Sequence, residues 1–293
     1  MGLRPTRAEM KIQSLPLTRG RLGGGCLLFS RQTTEGEAGC EALFNSLLAA
    51  VNDMTEVKLF ATCLAEEFFP TAIDATKKIL TDLKLKVTPL RSTFCCGQAP
   101  FNEGLRKEAP TLARGFLKAC EPGVPIVIPS GSCASMVKIF FSDLLADDPG
   151  LLHKARTIRP WIFELSQFLV NVLKVKYIGA RYPHQVAYHP ACHLTRELGV
   201  GDEPRLLLSA VRELKLVEFR NPEECCGFGG MFSVKFPHIS LAMAQDKIER
   251  LKESGADTVV ANDCGCLMQL GGTMHRQGVP IQTRHIAEVL AAR

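Results

Sequence analysis

The sequence twice carries adjacent cysteines followed by glycine, Cys95-Cys96-Gly97 and Cys225-Cys226-Gly227, and each pair has outlying cysteines at nearly matching distances. Cys63 lies 32 positions before Cys95, and Cys192 lies 33 before Cys225. Cys133 follows Cys96 by 37 positions, and Cys266 follows Cys226 by 40. The first set therefore offers Cys63, Cys95, Cys96 and Cys133; the second offers Cys192, Cys225, Cys226, Cys264 and Cys266. Structural zinc takes four ligands, usually from paired C-x2–4-C knuckles, and that arrangement is absent here. Adjacent cysteines are awkward on one tetrahedral ion but can serve different irons of a cluster held by thiolates. Gly97 and Gly227, with Gly229-Gly230 in the second set, would let the backbone approach such a cluster. Cys26, Cys40 and Cys120 stand outside the repeat and read as buried structural thiols.

The elements that must position these cysteines follow an alternating pattern. Apolar runs of strand length occur at Val57–Ala61, Leu85–Leu90 and Ile126–Ile128, and again at Gln185–His189, Leu216–Phe219 and Thr258–Ala261. Helical periodicity is expected over Pro70–Leu83, Asn102–Ala119 and Ser132–Leu145, then over Glu203–Leu214, His238–Glu253, Leu267–Arg276 and Ile286–Ala291. Each cysteine set follows predicted strands and precedes helices. In parallel α/β layers that is the carboxyl edge, where binding sites gather and helix N-termini favour thiolates. The expected fold is α/β, with two pseudo-repeated Rossmann-like halves of parallel strands, each carrying a cysteine cluster. The halves are placed at 54–150 and 184–293, joined by a helical linker over 151–183 in which Pro160 starts a second helix. Residues 1–53 carry little pattern, and Met54 opens a clean start. They are expected to be a disordered leader or a mis-called start.

Composition narrows the class. The chain has 293 residues, 12 of them cysteine, with 46% hydrophobic and 22% charged residues and a net charge of +5. No basic stripe is present, so nucleic acid is not an expected partner. The sequence shows neither a secretory signal nor an apolar run of the roughly 18 residues needed to span a bilayer. The expected localisation is therefore cytoplasmic, where thiols stay reduced and clustered cysteines read as metal-binding or redox groups.

Leu59-Phe60-Ala61-Thr62-Cys63-Leu64, Cys95-Cys96-Gly97-Gln98, Pro129-Ser130-Gly131-Ser132-Cys133, Cys225-Cys226-Gly227-Phe228-Gly229-Gly230 and Asp263-Cys264-Gly265-Cys266-Leu267-Met268 together resemble the CCG cysteine-rich domain. That domain occurs in heterodisulfide reductases and in iron–sulfur subunits of glycolate and anaerobic glycerol-3-phosphate oxidases. The pattern is most similar to the lactate-utilisation protein A family. The resemblance implies a [4Fe–4S] cluster in the second half and a second in the first. It also implies oxidation of L-lactate to pyruvate alongside two companions, a ferredoxin-type iron–sulfur protein and a third small subunit. The broad motif ends in C-x-x-C; here Ser130 and Asp263 stand at the first cysteine of that pair. The C-x2-C-x2-C-x3-C-P run is absent, as is a G-x-G-x-x-G after a strand, so partners would supply or remove electrons.

Other residues carry weaker signals. His193 directly follows Cys192 and could serve the second cluster as a proton carrier or as a hydrogen-bond donor to sulfur. His189 and His285 read as satisfied or exposed histidines. Arg91, Arg181, Arg196 and Lys235 could grip a 2-hydroxy acid carboxylate, although each alone suits a solvated surface. Trp161 reads as core or interface packing. No catalytic residue is assigned. The chain reads as an oxidoreductase subunit acting with partners. A heterodisulfide or thiol reductase, a glycolate oxidase-type subunit and a zinc-binding scaffold are the alternative readings.

Overall fold

The computed structural model describes residues 55–90 and 95–293. The leader with Cys26 and Cys40, Met54 and Arg91 lie outside the described residues.

Short runs rich in Val and Ile form the inner strands because both of their faces are covered, as in parallel sheets with helices on each side. Ile126–Ile128 and Thr258–Ala261 are buried at every position. Among the described residues there are eight strands: β1 Glu56–Leu59, β2 Lys86–Pro89, β3 Ile126–Ile128, β4 Ile162–Glu164, β5 Gln185–His189, β6 Lys215–Val217, β7 Thr258–Ala261 and β8 Gln282–His285. They make two four-stranded sheets, ordered β2-β1-β3-β4 and β6-β5-β7-β8. All pairings are parallel. The two-half α/β reading therefore describes the molecule, with the same strand order in each half.

Three apolar clusters fix the arrangement. One lies within the first half, around Phe60, Phe116, Ile128 and Phe141. Another lies within the second, around Ala187, Phe219, Ile248 and Leu270. A third joins the halves, bringing Val57, Ile79, Leu80 and Val127 together with Val186, Tyr188, Val260 and Leu290. The helix Pro70–Asp82 turns Ala72, Ile73, Thr76, Ile79 and Leu80 inward, an i, i+1, i+4, i+7, i+8 stripe. Its start is set by Pro70, whose missing N–H costs nothing in the first turn.

Several expected elements differ. The helix expected over Asn102–Ala119 is two helices, Gln98–Asn102 and Glu108–Lys118, parted at Gly104, whose φ is 71°. The stretch expected over Ser132–Leu145 is a helix over Gly131–Ser135, a π-helical turn over Met136–Phe140 and a helix over Phe141–Leu144. Within 151–183, expected as helical, Pro160 starts no second helix. It sits in the 3-10 turn Arg159–Trp161, and β4 follows and pairs with β3 in the first sheet. β8 was also unanticipated: Gln-Thr-Arg-His at a sheet edge has no apolar run. No helix among the described residues is long and apolar enough to cross a membrane.

Candidate metal centres

The cysteine-bearing loops leave the carboxyl ends of β1, β2 and β3 in the first half, and of β5, β6 and β7 in the second. Parallel strands put those ends at one edge, so residues distant in sequence meet. In the first half the thiols of Cys63 and Cys95, of Cys95 and Cys96, and of Cys96 and Cys133 lie close enough to act on one another's protonation. In the second half the same run links Cys192, Cys225, Cys226 and Cys266. Two cysteines in each set are buried (Cys96 and Cys133; Cys226 and Cys266) and two are half-buried, so each centre is shallow and open on one side.

The electrostatics repeat with the geometry. Hydrogen bonds from Cys63 and Cys96 hold Cys95 well below the ordinary thiol range, and the Gly97 N–H adds a further bond at 3.3 Å. Cys192 and Cys226 do the same for Cys225, with the Gly227 N–H at 3.4 Å. Cys63 and Cys192 are pushed up, first by the hydrogen bond to that neighbour and then by burial. The leading cysteine of each pair is thus the thiol that gives up its proton first, while Cys63 and Cys192 keep theirs longer. Metal binding to thiols releases protons in this way.

The glycines have a defined task. Gly97 and Gly227 both sit at φ 87°, in the left-handed region, which turns their N–H back onto sulfur. A Cβ on Gly227 would also stand 2.5 Å from the Ser240 carbonyl oxygen, whereas one on Gly97 would meet nothing closer than 3.5 Å. The close approach at Gly227 is therefore made to the helix Pro237–Glu253.

Cys264 stands apart from the second run. It is packed with Leu59, Ala65 and Ile73 of the first half, and burial pushes its thiol up. Cys120 is buried in the first-half core, donates to the Phe116 carbonyl at 3.2 Å and is raised to about 12 by burial, as a structural thiol should be. His193 Nδ1 is 3.3 Å from Glu197 Oε2, and its ring lies edge-on to Phe140 of the first half at 6.3 Å. His285 is buried and neutral in character: its Nδ1 accepts from the Ala287 N–H, and its Nε2 lies 3.1 Å from the Pro129 carbonyl. Among the carboxylate-binding candidates, Arg181 is paired with Glu213 at 2.6 and 2.7 Å. Arg196 donates to the Glu223 carbonyl at 3.4 Å, and Lys235 pairs with Glu103 across the halves. Trp161 is half-buried.

Sequence reasoning took His189 for a satisfied or exposed histidine. His189 is buried, and one of its ring nitrogens lies with the Cys226 and Cys266 sulfurs so that all three atoms fall within 4.8 Å of one another. The available signal was position: it precedes Cys192 by three residues, at the end of β5, just as Phe60 precedes Cys63 directly after β1.

Ser130 and Asp263, the two departures from the broad cysteine motif, meet each other. Ser130 Oγ donates to Asp263 Oδ2 at 3.1 Å, and the Ser132 N–H donates to the same oxygen at 2.8 Å. Asp263 Oδ1 accepts from the Gly265 N–H at 3.1 Å, so one carboxylate serves the starts of two helices, one in each half. Beside it, Asn262 donates to Glu164 Oε1 and Ser166 Oγ, both at 2.7 Å, and accepts from Tyr188 at 2.9 Å.

Two repeated thiol sets at the edges of two parallel sheets define a cysteine-rich class, and the CCG cysteine-rich domain model matches this chain twice, over residues 57–138 and 186–271. The chain is 42% identical over 238 residues to lactate utilization protein A of Geobacillus sp. (strain WCH70), covering 81% of this chain and all of that one. It is 43% identical to the protein of that name from Geobacillus kaustophilus, covering 81% and 99%, and 40% identical to that from Bacillus licheniformis, covering 81% and 100%. The chain belongs to the lactate utilization protein A family. A crystal structure of a hypothetical protein from Helicobacter pylori shares the fold, with a TM-score of 0.55 at 11% identity; the match covers 85% of this chain and 54% of that one.

Proposed function

We propose that this chain is the iron–sulfur subunit of a system oxidising L-lactate to pyruvate, with one [4Fe–4S] cluster in the second cysteine set and another in the first. The observation that carries the reading is the twofold recurrence of four contacting thiols at one sheet edge. An all-thiolate donor set suits iron–sulfur clusters. The lactate half of the proposal rests on relatives that carry the name lactate utilization protein A over their whole length.

Cys63, Cys95, Cys96 and Cys133 would hold the first cluster, and Cys192, Cys225, Cys226 and Cys266 the second. A bound cluster supplies one-electron transfer. The chain's own residues hold the thiolates in place, aim the Gly97 and Gly227 N–H groups at sulfur, and seal the inner side with Phe60, Ile128, Ala187 and Leu270. The half-buried sulfurs leave the outer side open to a companion, for which we propose a ferredoxin-type iron–sulfur protein and a third small subunit in the cytoplasm. The 2-hydroxy acid is the substrate of the complex.

The test is iron and sulfide content, with absorption and EPR spectra, on full-length protein purified without oxygen. About four irons per set support the reading. One observation favours a second reading: His189, Cys226 and Cys266 are close enough to share a single tetrahedral ion, as in a zinc site. A colourless protein with stoichiometric zinc and no iron uptake would establish that reading instead.

A further inference from the structure

The two halves carry equivalent cysteines, and beside them one pair of buried side chains changes from aromatic to basic. In the first half Phe60 follows β1 and meets Phe116 edge-on, with ring centroids 5.0 Å apart. Phe116 belongs to the helix Glu108–Lys118, whose inward positions Ala109, Ala113, Phe116 and Leu117 correspond to Ser240, Ala244, Lys247 and Ile248 of the helix Pro237–Glu253. The apolar pair Phe60 and Phe116 is thus replaced by His189 and Lys247.

Lys247 is accounted for: its ammonium donates to the Pro222 carbonyl at 3.0 Å and lies 5.2 Å from the centre of the Phe219 ring. His189 is not. It is 1% exposed; its one backbone neighbour is the Pro222 carbonyl, which already accepts from Lys247, and neither ring nitrogen makes a hydrogen bond of good geometry among the described residues. A buried polar atom without a partner is costly, on the order of 1–3 kcal/mol, and native proteins rarely leave two on one ring. The ring does have neighbours of the right kind, since the Cys226 and Cys266 sulfurs fall with a ring nitrogen inside 4.8 Å. One metal ion at about 2.0–2.3 Å from each donor spans that separation after a small side-chain shift.

We propose that His189 is a nitrogen ligand of the second metal centre, so that this centre has a mixed thiolate–imidazole donor set and the first, with Phe60 in the matching place, does not. The inference rests on the iron–sulfur reading above. It also assigns the fifth donor of the second set to His189 in place of Cys264, which packs against Leu59, Ala65 and Ile73.

The test is pulsed EPR of the iron-loaded full-length chain, in whichever of its oxidised and reduced states is paramagnetic, grown with 15N-labelled histidine. The expected result is a strong nitrogen coupling that changes with the isotope, survives in His193→Gln and is lost in His189→Phe. The labelled wild-type measurement stands even if His189→Phe fails to fold. An iron-loaded wild type without a histidine coupling overturns the proposal and leaves the cluster reading intact, as does a coupling that persists in His189→Phe or vanishes in His193→Gln. A chain that takes up no iron sinks the cluster reading, and this inference with it.

Discussion

The first half builds its centre against aromatic carbon, and the second builds the equivalent centre against charge. Around Cys96 and Cys133 the inner wall includes Phe60, Phe116 and Phe141. Around Cys226 and Cys266 it includes His189 and the buried Lys247, whose charge reaches both sulfurs. Iron–sulfur potentials respond to nearby charge and to hydrogen bonds at sulfur. The two seats therefore share one design, and two inward positions make their surroundings unlike.

The largest effect expected from breaking this comparison is loss of metal. Cys225→Ser with Cys226→Ser should remove about four irons and leave the first set loaded, and Cys95→Ser with Cys96→Ser should do the converse. Iron and sulfide analysis of both variants decides it. Complete loss from either one would mean that the sets form a single centre.

The paired glycines sharpen the comparison on stability. Both Gly97 and Gly227 have φ 87°, so an alanine at either strains the backbone by about 1–2 kcal/mol. Only at Gly227 would the new Cβ also strike backbone, the Ser240 carbonyl at 2.5 Å. Overpacking of that kind adds about 1–3 kcal/mol. Urea unfolding of the metal-free protein should show Gly227→Ala as the weaker of the two variants by that margin; equal losses would mean the helix Pro237–Glu253 moves aside freely.

The fourth strands give a pH comparison. Glu164 ends β4 and His285 ends β8, and each side chain caps the helix that follows it. Burial raises the Glu164 carboxyl to about 7 and lowers the His285 imidazole. Below about pH 4.3 Glu164 is protonated folded or unfolded. As pH rises towards 7 the folded state keeps its proton longer, so its contribution to stability is lost across that window, by on the order of 3 kcal/mol. His285 has the opposite sign: its contribution is present above about pH 6.5 and is lost as pH falls below it. Stability curves of wild type and Glu164→Gln between pH 4.5 and 7.5 should differ in slope, the wild type losing stability relative to the variant as pH rises. Parallel curves would mean that Glu164 stays ionised throughout.

How much of this was legible in the sequence depends on which signal each feature left. Val, Ile and Leu runs marked the inner strands and the two halves, because strands covered on both faces must be apolar along their length. The cysteines were found because their spacing repeats. β4 and β8 were not found: Ile-Phe-Glu and Gln-Thr-Arg-His are short edge strands whose pairing is decided by the neighbouring strand. The break at Gly104 and the π-turn over Met136–Phe140 left no clear periodic signature. Cys264 was placed in the second set because it follows β7 and offers a thiolate one residue after Asp263; at the helix start its side chain packs with Leu59, Ala65 and Ile73 of the first half. His189 was read as a satisfied or exposed histidine because a lone histidine at a strand end ordinarily signals nothing; only the match between the halves shows that it stands in the place of Phe60.

The smallest expected effect separates Ser130 from Asp263, which stand where the broad motif has cysteine. They are not equal substitutes. Ser130 caps one helix, accepting from the Cys133 N–H at 3.3 Å, and donates one bond to Asp263. Asp263 accepts from Ser130 Oγ, the Ser132 N–H and the Gly265 N–H, and so ties the first residues of two helices to one buried carboxylate. Ser130→Ala should cost about 1 kcal/mol, the usual loss of a helix cap. Asp263→Ala should cost about 2–3 kcal/mol, because hydrogen bonds to a charged group are stronger and three donors lose their acceptor together. Chemical unfolding of the two single variants and the double variant checks this. A double-variant loss smaller than the sum of the single losses is the mark of the shared bond, and strict additivity would show that the Ser130–Asp263 bond contributes nothing to stability. The exchange of thiolate for this pair therefore traded two ligand positions for a polar fastening between the halves, at the place where the carboxyl ends of β3 and β7 face each other.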